Sequence, residues 1–148
     1  MHFVVDACSG WGFVTGFLLN QDHAFCTYDA SYYDGIYFWA KSSSASVAIR
    51  FTPETPKTIP IENGGDGSCE ARGDCWFSHG IDLVFDTSWR LYAFSWAELA
   101  QPGFVSQPVA FDPSEIMHFK WAGSSAVDYD FWIDQVGFFK GTVPASPP

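Results

Sequence analysis

Apolar and polar residues alternate in short runs along most of the chain, and this period-two pattern predicts β-strands rather than helices. Turn-forming Gly, Pro, Asn and Ser residues separate the runs, as in an all-β domain. The segment 53–74 holds three prolines and a Gly-Gly-Asp-Gly cluster, which predicts a long loop, and 96–100 predicts one helical turn. The predicted strands are 3–7, 12–19, 35–40, 47–52, 81–85, 89–95, 116–121 and 130–139. We therefore expect an all-β fold, a β-sandwich of two antiparallel sheets.

The last predicted strand has aromatic side chains on both of its faces and several carboxylates on one of them. One face, with Tyr129, Phe131 and Ile133, is typical of a core. The other face has three carboxylates around a tryptophan, namely Asp128, Asp130, Trp132 and Asp134. Such a face suits a sugar, a calcium ion or a second copy of the chain, and the pattern alone leaves these three alternatives open.

Composition narrows the class of protein. The 148 residues suffice for one domain with a buried core, and a hydrophobic fraction of 47% is typical of a folded chain. Aromatic residues make up 19%, so some of their rings must lie at the surface. The net charge of −10 and the pI of about 4.4 repel phosphate backbones and anionic lipids, so we expect neither nucleic acid nor membrane as a partner. No apolar run approaches the roughly 20 residues that span a bilayer.

Four cysteines predict disulfide bonds. Cys69 and Cys75 flank a short polar loop that a local bridge would close, which leaves Cys8 and Cys26 as the second pair. Disulfides imply an oxidising compartment, so we expect a secreted, extracellular protein; buried free thiols in a cytosolic protein are the alternative. Residues 1–6 lack the basic and apolar segments of a signal peptide, so we expect either a removed signal or a fragment of a longer precursor.

Four segments in order resemble one family of jelly-roll domains. Residues 10–13 read Gly-Trp-Gly-Phe, and 28–41 run from Tyr-Asp-Ala-Ser to Gly-Ile-Tyr-Phe-Trp-Ala-Lys. Residues 89–104 contain Trp-Arg-Leu-Tyr, Phe-Ser and Leu-Ala-Gln-Pro-Gly-Phe, and 131–138 read Phe-Trp-Ile-Asp-Gln-Val-Gly-Phe. These segments resemble the galactose-binding-domain-like carbohydrate-binding modules of bacterial polysaccharide-degrading systems. The resemblance implies a jelly roll that binds a polysaccharide or oligosaccharide on a concave sheet face.

Two features depart from the family pattern. Family members usually carry an acidic N-terminal strand before the Trp-Gly turn, and this chain has little room for it. Without that strand a sheet edge would be open to strand addition by a second chain. Gln135 stands where the closing motif usually has a second Asp. Both departures count against a complete structural calcium site, for which the resemblance transfers Asp134 as a ligand; calcium is the one candidate cofactor.

A sugar-binding platform needs aromatic rings that stack on pyranose rings and polar groups that bond their hydroxyls. Alternation places such residues on adjacent predicted strands, and one tryptophan follows the cysteine loop, where a ring can be displayed or can fold back over the loop. The predicted ligand-binding residues are Tyr37, Trp39, Arg50, Trp76, Arg90, Tyr92, His118, Asp130 and Trp132. The alternative is that some rings, above all Trp39 and Trp132, belong to the core.

Catalysis is not expected. The chain lacks the clustered glutamates of jelly-roll glycosidases, a Gly-x-Ser-x-Gly elbow and a metal-binding histidine spacing. We therefore predict a non-catalytic binding domain at 1–140 and a Pro-rich tail or linker end at 141–148, with a linked catalytic domain as a further partner. The alternative function is a structural subunit of an extracellular filament or matrix, which binds copies of itself through exposed rings.

Overall fold

The computed structural model describes residues 1–7, 10–20, 26–61, 67–70, 73–125 and 127–143. The strands in these ranges lie at or close to the predicted positions: β1 His2–Val5, β2 Phe13–Leu18, β3 Gly35–Ser42, β4 Val47–Glu54, β5 Ile81–Phe85, β6 Arg90–Ser95, β7 His118–Gly123 and β8 Tyr129–Phe139. Single 3₁₀ turns occupy Pro56–Thr58, Trp96–Glu98 and Pro113–Glu115, and the second of these is the predicted helical turn. No helix found in the described ranges is long and apolar enough to cross a membrane.

The strands form two antiparallel four-stranded sheets, which confirms the predicted sandwich. Sheet A has the order β1-β8-β3-β6, and sheet B has the order β2-β7-β4-β5. The first predicted strand, at 3–7, is present as β1. Strand β1 pairs with β8, with His2 opposite Trp132 and Val5 opposite Tyr129, so this side of β8 is already covered.

The core between the two sheets consists largely of aromatic rings. Phe38 of β3, Phe51 of β4 and Trp121 of β7 are fully buried. The ring centroids of Phe38 and Phe51 are 5.0 Å apart, and those of Phe51 and Trp121 are 5.3 Å apart. From β8, Phe131 and Ile133 join this core, as alternation predicted. Burying each large side chain contributes roughly 1.5–3 kcal/mol to the stability of the fold. The packing of this cluster is therefore the main interaction that holds the two sheets together.

A bulge changes the face that β8 presents to the core. The pairing of β8 with β3 shifts between Gly137, which is opposite Tyr37, and Asp134, which is opposite Trp39. Gln135 lies at this shift with a positive φ of 47°. One extra residue in β8 is the simplest account of the shift, and it reverses the alternation that follows. The residue that departs from the family motif therefore sits at the irregular point of the strand.

A disulfide joins Cys69 and Cys75, which confirms that predicted pair. Cys26 has no disulfide partner among the described residues. Cys8 lies outside the described residues, so the Cys8–Cys26 pair stays a prediction. Residues 144–148 of the predicted tail also lie outside the described ranges.

Candidate functional site

A groove crosses the outer face of sheet B, the face turned away from the core. Because Phe51 and Trp121 point inward, their strand neighbours on β4 and β7 point outward and form its floor. The groove has a volume of about 730 Å³. Its floor is formed by Arg50, Thr52, Glu54, Lys120 and Ala122, and the loops beside it contribute Trp11 and Trp76. We call it the indole groove.

Trp11 is the most exposed ring of the indole groove, with 78% of its surface accessible. It belongs to the turn before β2, where Gly12 has a φ of +131°. A Cβ at Gly12 would lie 2.1 Å from the carbonyl oxygen of Gly123 at the end of β7. Only glycine allows this close approach, which fixes the turn against β7 and holds the indole beside the groove.

Trp76 is the second exposed ring, at 54% accessibility. It follows the buried, disulfide-bonded Cys75, and its backbone N–H donates to the carbonyl oxygen of Thr58 at 2.7 Å. Its φ of 74° lies in the left-handed region, which costs a non-glycine residue roughly 1–3 kcal/mol. Strain of this kind persists only where the surroundings hold it, and it is common at ligand-binding sites. The loop therefore displays the ring from a constrained backbone.

Two cations lie on the groove floor, and each is held by neighbouring groups. Arg50 donates from Nη1 to Asp82 at 2.9 Å and from Nη2 to the carbonyl oxygen of Ala100 at 3.1 Å. Lys120 donates to the carboxylate of Glu54. These contacts fix the positions of both cations, and each cation keeps further N–H donors for a ligand.

Glu54 is the buried member of this group, with 4% of its surface exposed. Burial raises the pKa of its carboxyl group, but the hydrogen bonds from His118 and Lys120 outweigh this effect and hold the pKa below its usual value. Nδ1 of His118 lies 2.7 Å from the carboxylate. Glu54 is therefore ionised at neutral pH and accepts hydrogen bonds.

The predicted ligand-binding residues do not share one platform. Arg50, Trp76 and His118 lie at or behind the indole groove on sheet B. By contrast, Tyr37, Trp39, Asp130 and Trp132 lie on the outer face of sheet A, on the opposite side of the sandwich. Alternation decides which way a side chain points within its strand, but it does not decide which of two sheets the strand joins. This is why residues with correctly predicted outward orientation ended on two separate faces.

The tryptophans on sheet A are already packed against the protein's own side chains. His2 stacks on the ring of Trp132 with centroids 4.2 Å apart, and Nζ of Lys41 lies 4.9 Å from the same centroid. Trp39 is buried to 9% exposure. A pyranose ring needs an open indole face, and these contacts occupy much of the available ring surface. Ligand binding by the residues of the sheet A face stays a prediction.

Tyr92 and Arg90 do not extend either surface. The ring of Tyr92 packs against the core, 5.2 Å from Phe85, and its hydroxyl donates to the carbonyl oxygen of Val84. Arg90 is exposed and bonds Asp86 at 3.0 Å. The predicted outward face of this strand was incorrect, since Tyr92 points toward the core.

Sequence reasoning missed most of the groove residues, among them Trp11, Glu54 and Lys120. The sequence pattern indicates Trp11 only as part of the Trp-Gly turn motif and not as a ligand-binding residue. Glu54 continues the alternation of Arg50 and Thr52, but the strand was predicted to stop before Pro53. Strand β4 runs through Pro53 because beyond Phe51 it pairs with β7 alone, and a strand position with one open side tolerates proline.

No metal site is evident in the part of the chain that the structure describes. There, no group of three or more His, Cys, Asp or Glu side chains comes together as a metal-ion cluster. Asp134 is exposed, and its carboxylate accepts a hydrogen bond from the backbone of Gln135 at 2.8 Å. Calcium at Asp134 therefore stays a prediction with no supporting ligand cluster.

Acidic pH is expected to weaken the fold through His79, which lies beside the groove-lining Ser78. Burial is the main cause that lowers the pKa of His79, and the positive charge of Arg50 lowers it further. The hydrogen bond with the carbonyl oxygen of Val109 raises this pKa, but by less. The histidine therefore binds a proton more tightly in the unfolded chain than in the folded chain. As a result, the free energy of unfolding falls as the pH drops below the ordinary histidine pKa. Urea unfolding at pH 7.5 and 5.5 measures this loss, which His79→Gln should reduce. Equal pH dependence in wild type and His79→Gln would contradict the assignment.

Solved structures of carbohydrate-binding modules share this fold. A family 30 carbohydrate-binding module matches with a TM-score of 0.67 and 12% identity, over 95% of this chain and 75% of that chain. The family 30 module of a cellulosomal cellulase of Clostridium thermocellum matches with a TM-score of 0.61 and 15% identity, over 94% of this chain and 73% of that one. The family 11 module from Clostridium thermocellum, in complex with a β-1,3-1,4-mixed-linked tetrasaccharide, matches with a TM-score of 0.58 and 16% identity, over 94% and 95% of the two chains.

These identities are too low to carry more than the fold. No protein-family model matches the sequence, and a search of curated proteins gives no match either. The chain has the jelly-roll fold of carbohydrate-binding modules, which confirms the fold that the sequence motifs predicted.

Proposed function

We propose that the protein is a non-catalytic carbohydrate-binding module that holds a polysaccharide or oligosaccharide chain in the indole groove. The observation that carries this proposal is the pair of exposed rings, Trp11 and Trp76, beside a floor of fixed polar side chains. Exposed indoles offer large apolar faces to pyranose rings, and the charged groups of the floor bond hydroxyls. The fold supports this function, since the structures that share it are carbohydrate-binding modules.

The proposal extends to the setting in which the protein works. The Cys69–Cys75 disulfide is typical of an oxidising compartment, which supports secretion to the extracellular space. There the module would direct a linked catalytic domain to its polysaccharide. Self-assembly into a filament is the alternative function, and no observation on the described residues favours it.

A binding screen tests the proposed function. The purified protein is passed through affinity gels containing soluble glucans, xylans, mannans and pectins, and is mixed with insoluble cellulose and chitin, each with calcium and with chelator. Retention on one glycan class, quenched or shifted tryptophan fluorescence and a monomeric particle size are the expected results. Failure to bind any glycan, together with large particles in light scattering, would reject the proposal in favour of assembly.

Removal of the Cys69–Cys75 bridge should weaken glycan binding through Trp76. Replacing both cysteines with serine frees a loop of seven residues, with a stability loss of roughly 2 kcal/mol. Without the bridge the Trp76 ring samples other positions, so binding must also order the loop and the affinity falls several-fold. Titration of the retained glycan measures this loss.

The same double substitution in a Trp76→Ala background is the control for this prediction. If the disulfide acts through the ring, removing it should change the affinity of the Trp76→Ala protein very little. An equal loss of affinity in both backgrounds would show that the bridge supports the groove by another route.

A further inference from the structure

Glu54 uses only one of its two carboxylate oxygens within the fold. Its Oε2 accepts hydrogen bonds from Nδ1 of His118 and from Nζ of Lys120. No described residue donates a hydrogen bond to its Oε1. Among the described residues, the side-chain atoms that are fully buried without a hydrogen-bond partner do not include Oε1. Oε1 therefore keeps contact with solvent, and the solvent that reaches Glu54 is that of the indole groove.

Stability alone is a weak reason for this arrangement. A buried ion pair costs so much desolvation that apolar residues of similar volume often stabilise a protein equally well or better. The Glu54 side chain is 5% exposed, so its charge has lost most of its contact with water. A carboxylate that is buried, paired and placed in a groove is a candidate for ligand recognition.

Lys120 places a donor directly beside this acceptor. Its ammonium group has three N–H donors, and Glu54 takes one of them. The Lys120 side chain is 26% exposed and lines the groove, so the remaining donors can reach a ligand. Adjacent hydroxyl groups on a pyranose ring are about one hydrogen-bond length apart, and each hydroxyl can both donate and accept. Such a pair of hydroxyls matches an adjacent acceptor and donor.

We propose, building on the function proposed above, that Glu54 and Lys120 together recognise two adjacent hydroxyls of one sugar ring. One hydroxyl donates to Oε1 of Glu54, and its neighbour accepts from Nζ of Lys120. The groove then selects chains whose bound ring carries a free vicinal diol, and it rejects chains with an acetamido, acyl or methyl substituent at that place. His118 is a positioning residue, because its bond to Oε2 orients the carboxylate.

The test compares a glycan with its methylated form in wild type and in variants. The probes are a soluble glucan or xylan that wild type binds and the same glycan with its secondary hydroxyls methylated. The variants are Lys120→Met and the double variant Glu54→Gln/Lys120→Met, which replaces the buried pair with neutral groups and is expected to fold. Lys57→Met is the control, since Lys57 forms a more exposed ion pair with Asp112, at 2.8 Å, outside the groove. Affinities come from calorimetric titration.

Methylation should weaken binding to wild type and to Lys57→Met by roughly tenfold to a hundredfold, the range expected for losing hydrogen bonds to charged groups. In the double variant the same methylation should change the affinity less than about threefold, and in Lys120→Met, which keeps Glu54, the loss should be smaller than in wild type. An undiminished methylation penalty in both groove variants would overturn the inference and leave glycan binding by the groove intact. Failure of wild type to bind any glycan of the screen would instead reject the proposed function, and the inference with it.

Discussion

Trp11→Ala and Trp76→Ala are each expected to lower the affinity for the glycan by roughly tenfold to a hundredfold while the protein stays folded. Each ring is mostly exposed in the free protein and would be covered by a sugar ring in the complex. Burying an aromatic side chain is worth roughly 1.5–3 kcal/mol, which corresponds to this change in affinity. Because neither ring belongs to the core, the free energy of unfolding should change by less than about 0.5 kcal/mol. Calorimetric titration and urea unfolding measure the two quantities.

Trp132→Ala is the matched control for the tryptophan variants, because this ring lies on sheet A under His2 and Lys41. If the indole groove is the site, Trp132→Ala binds the glycan with wild-type affinity. The opposite pattern, with affinity lost in Trp132→Ala and retained in Trp11→Ala and Trp76→Ala, would move the site to the sheet A platform predicted from the sequence. The two faces are thus distinguished by one set of three variants.

Phe51→Ala should have the largest effect on stability, a loss of roughly 3–5 kcal/mol in the free energy of unfolding. Phe51 is fully buried, and its ring lies 5.0 Å from that of Phe38 on sheet A and 5.3 Å from that of Trp121 on sheet B. Removing the ring leaves a cavity where the sheets meet. A domain of this size has a total stability of about 5–15 kcal/mol, so the midpoint of urea unfolding should fall steeply.

Val84→Ala is the control for this second prediction, since Val84 is 58% exposed on the outer face of the same sheet. It should change the unfolding free energy by less than about 0.5 kcal/mol. The result also bears on the site, because the register that buries Phe51 is the one that places Arg50 on the groove floor. If Phe51→Ala were neutral, β4 would be shifted by one residue, and Arg50 would face the core instead.

The strands could be predicted because alternation is a local property of the chain. The burial of Tyr129, Phe131 and Ile133 follows from their spacing, and so does the outward position of Arg50. The local disulfide could be predicted as well, because its two cysteines flank one short loop. Prediction failed at Pro53, where the residue type indicates a strand end but the pairing of β4 with β7 continues.

The candidate site could not be assembled from the sequence, because its parts are far apart in the chain. Trp11 comes from the first turn and Trp76 from the disulfide loop, and Lys120 comes from β7. Nothing local in the sequence shows that β7 lies between β2 and β4. Nor does it show that Glu54 of β4 accepts a hydrogen bond from Lys120 of β7. The pairing of distant strands brings these groups together.

By itself, the sequence determined the all-β class, the positions of most strands, the inward side chains of most of them and one disulfide. These depend on the period-two geometry of a strand and on residues close together in the chain. The tertiary structure alone decided which sheet each strand joins, and hence that Trp132 and Trp76 lie on opposite faces. Strand order depends on how the two sheets bury their shared core, which is a property of the whole chain and is not contained in any one segment.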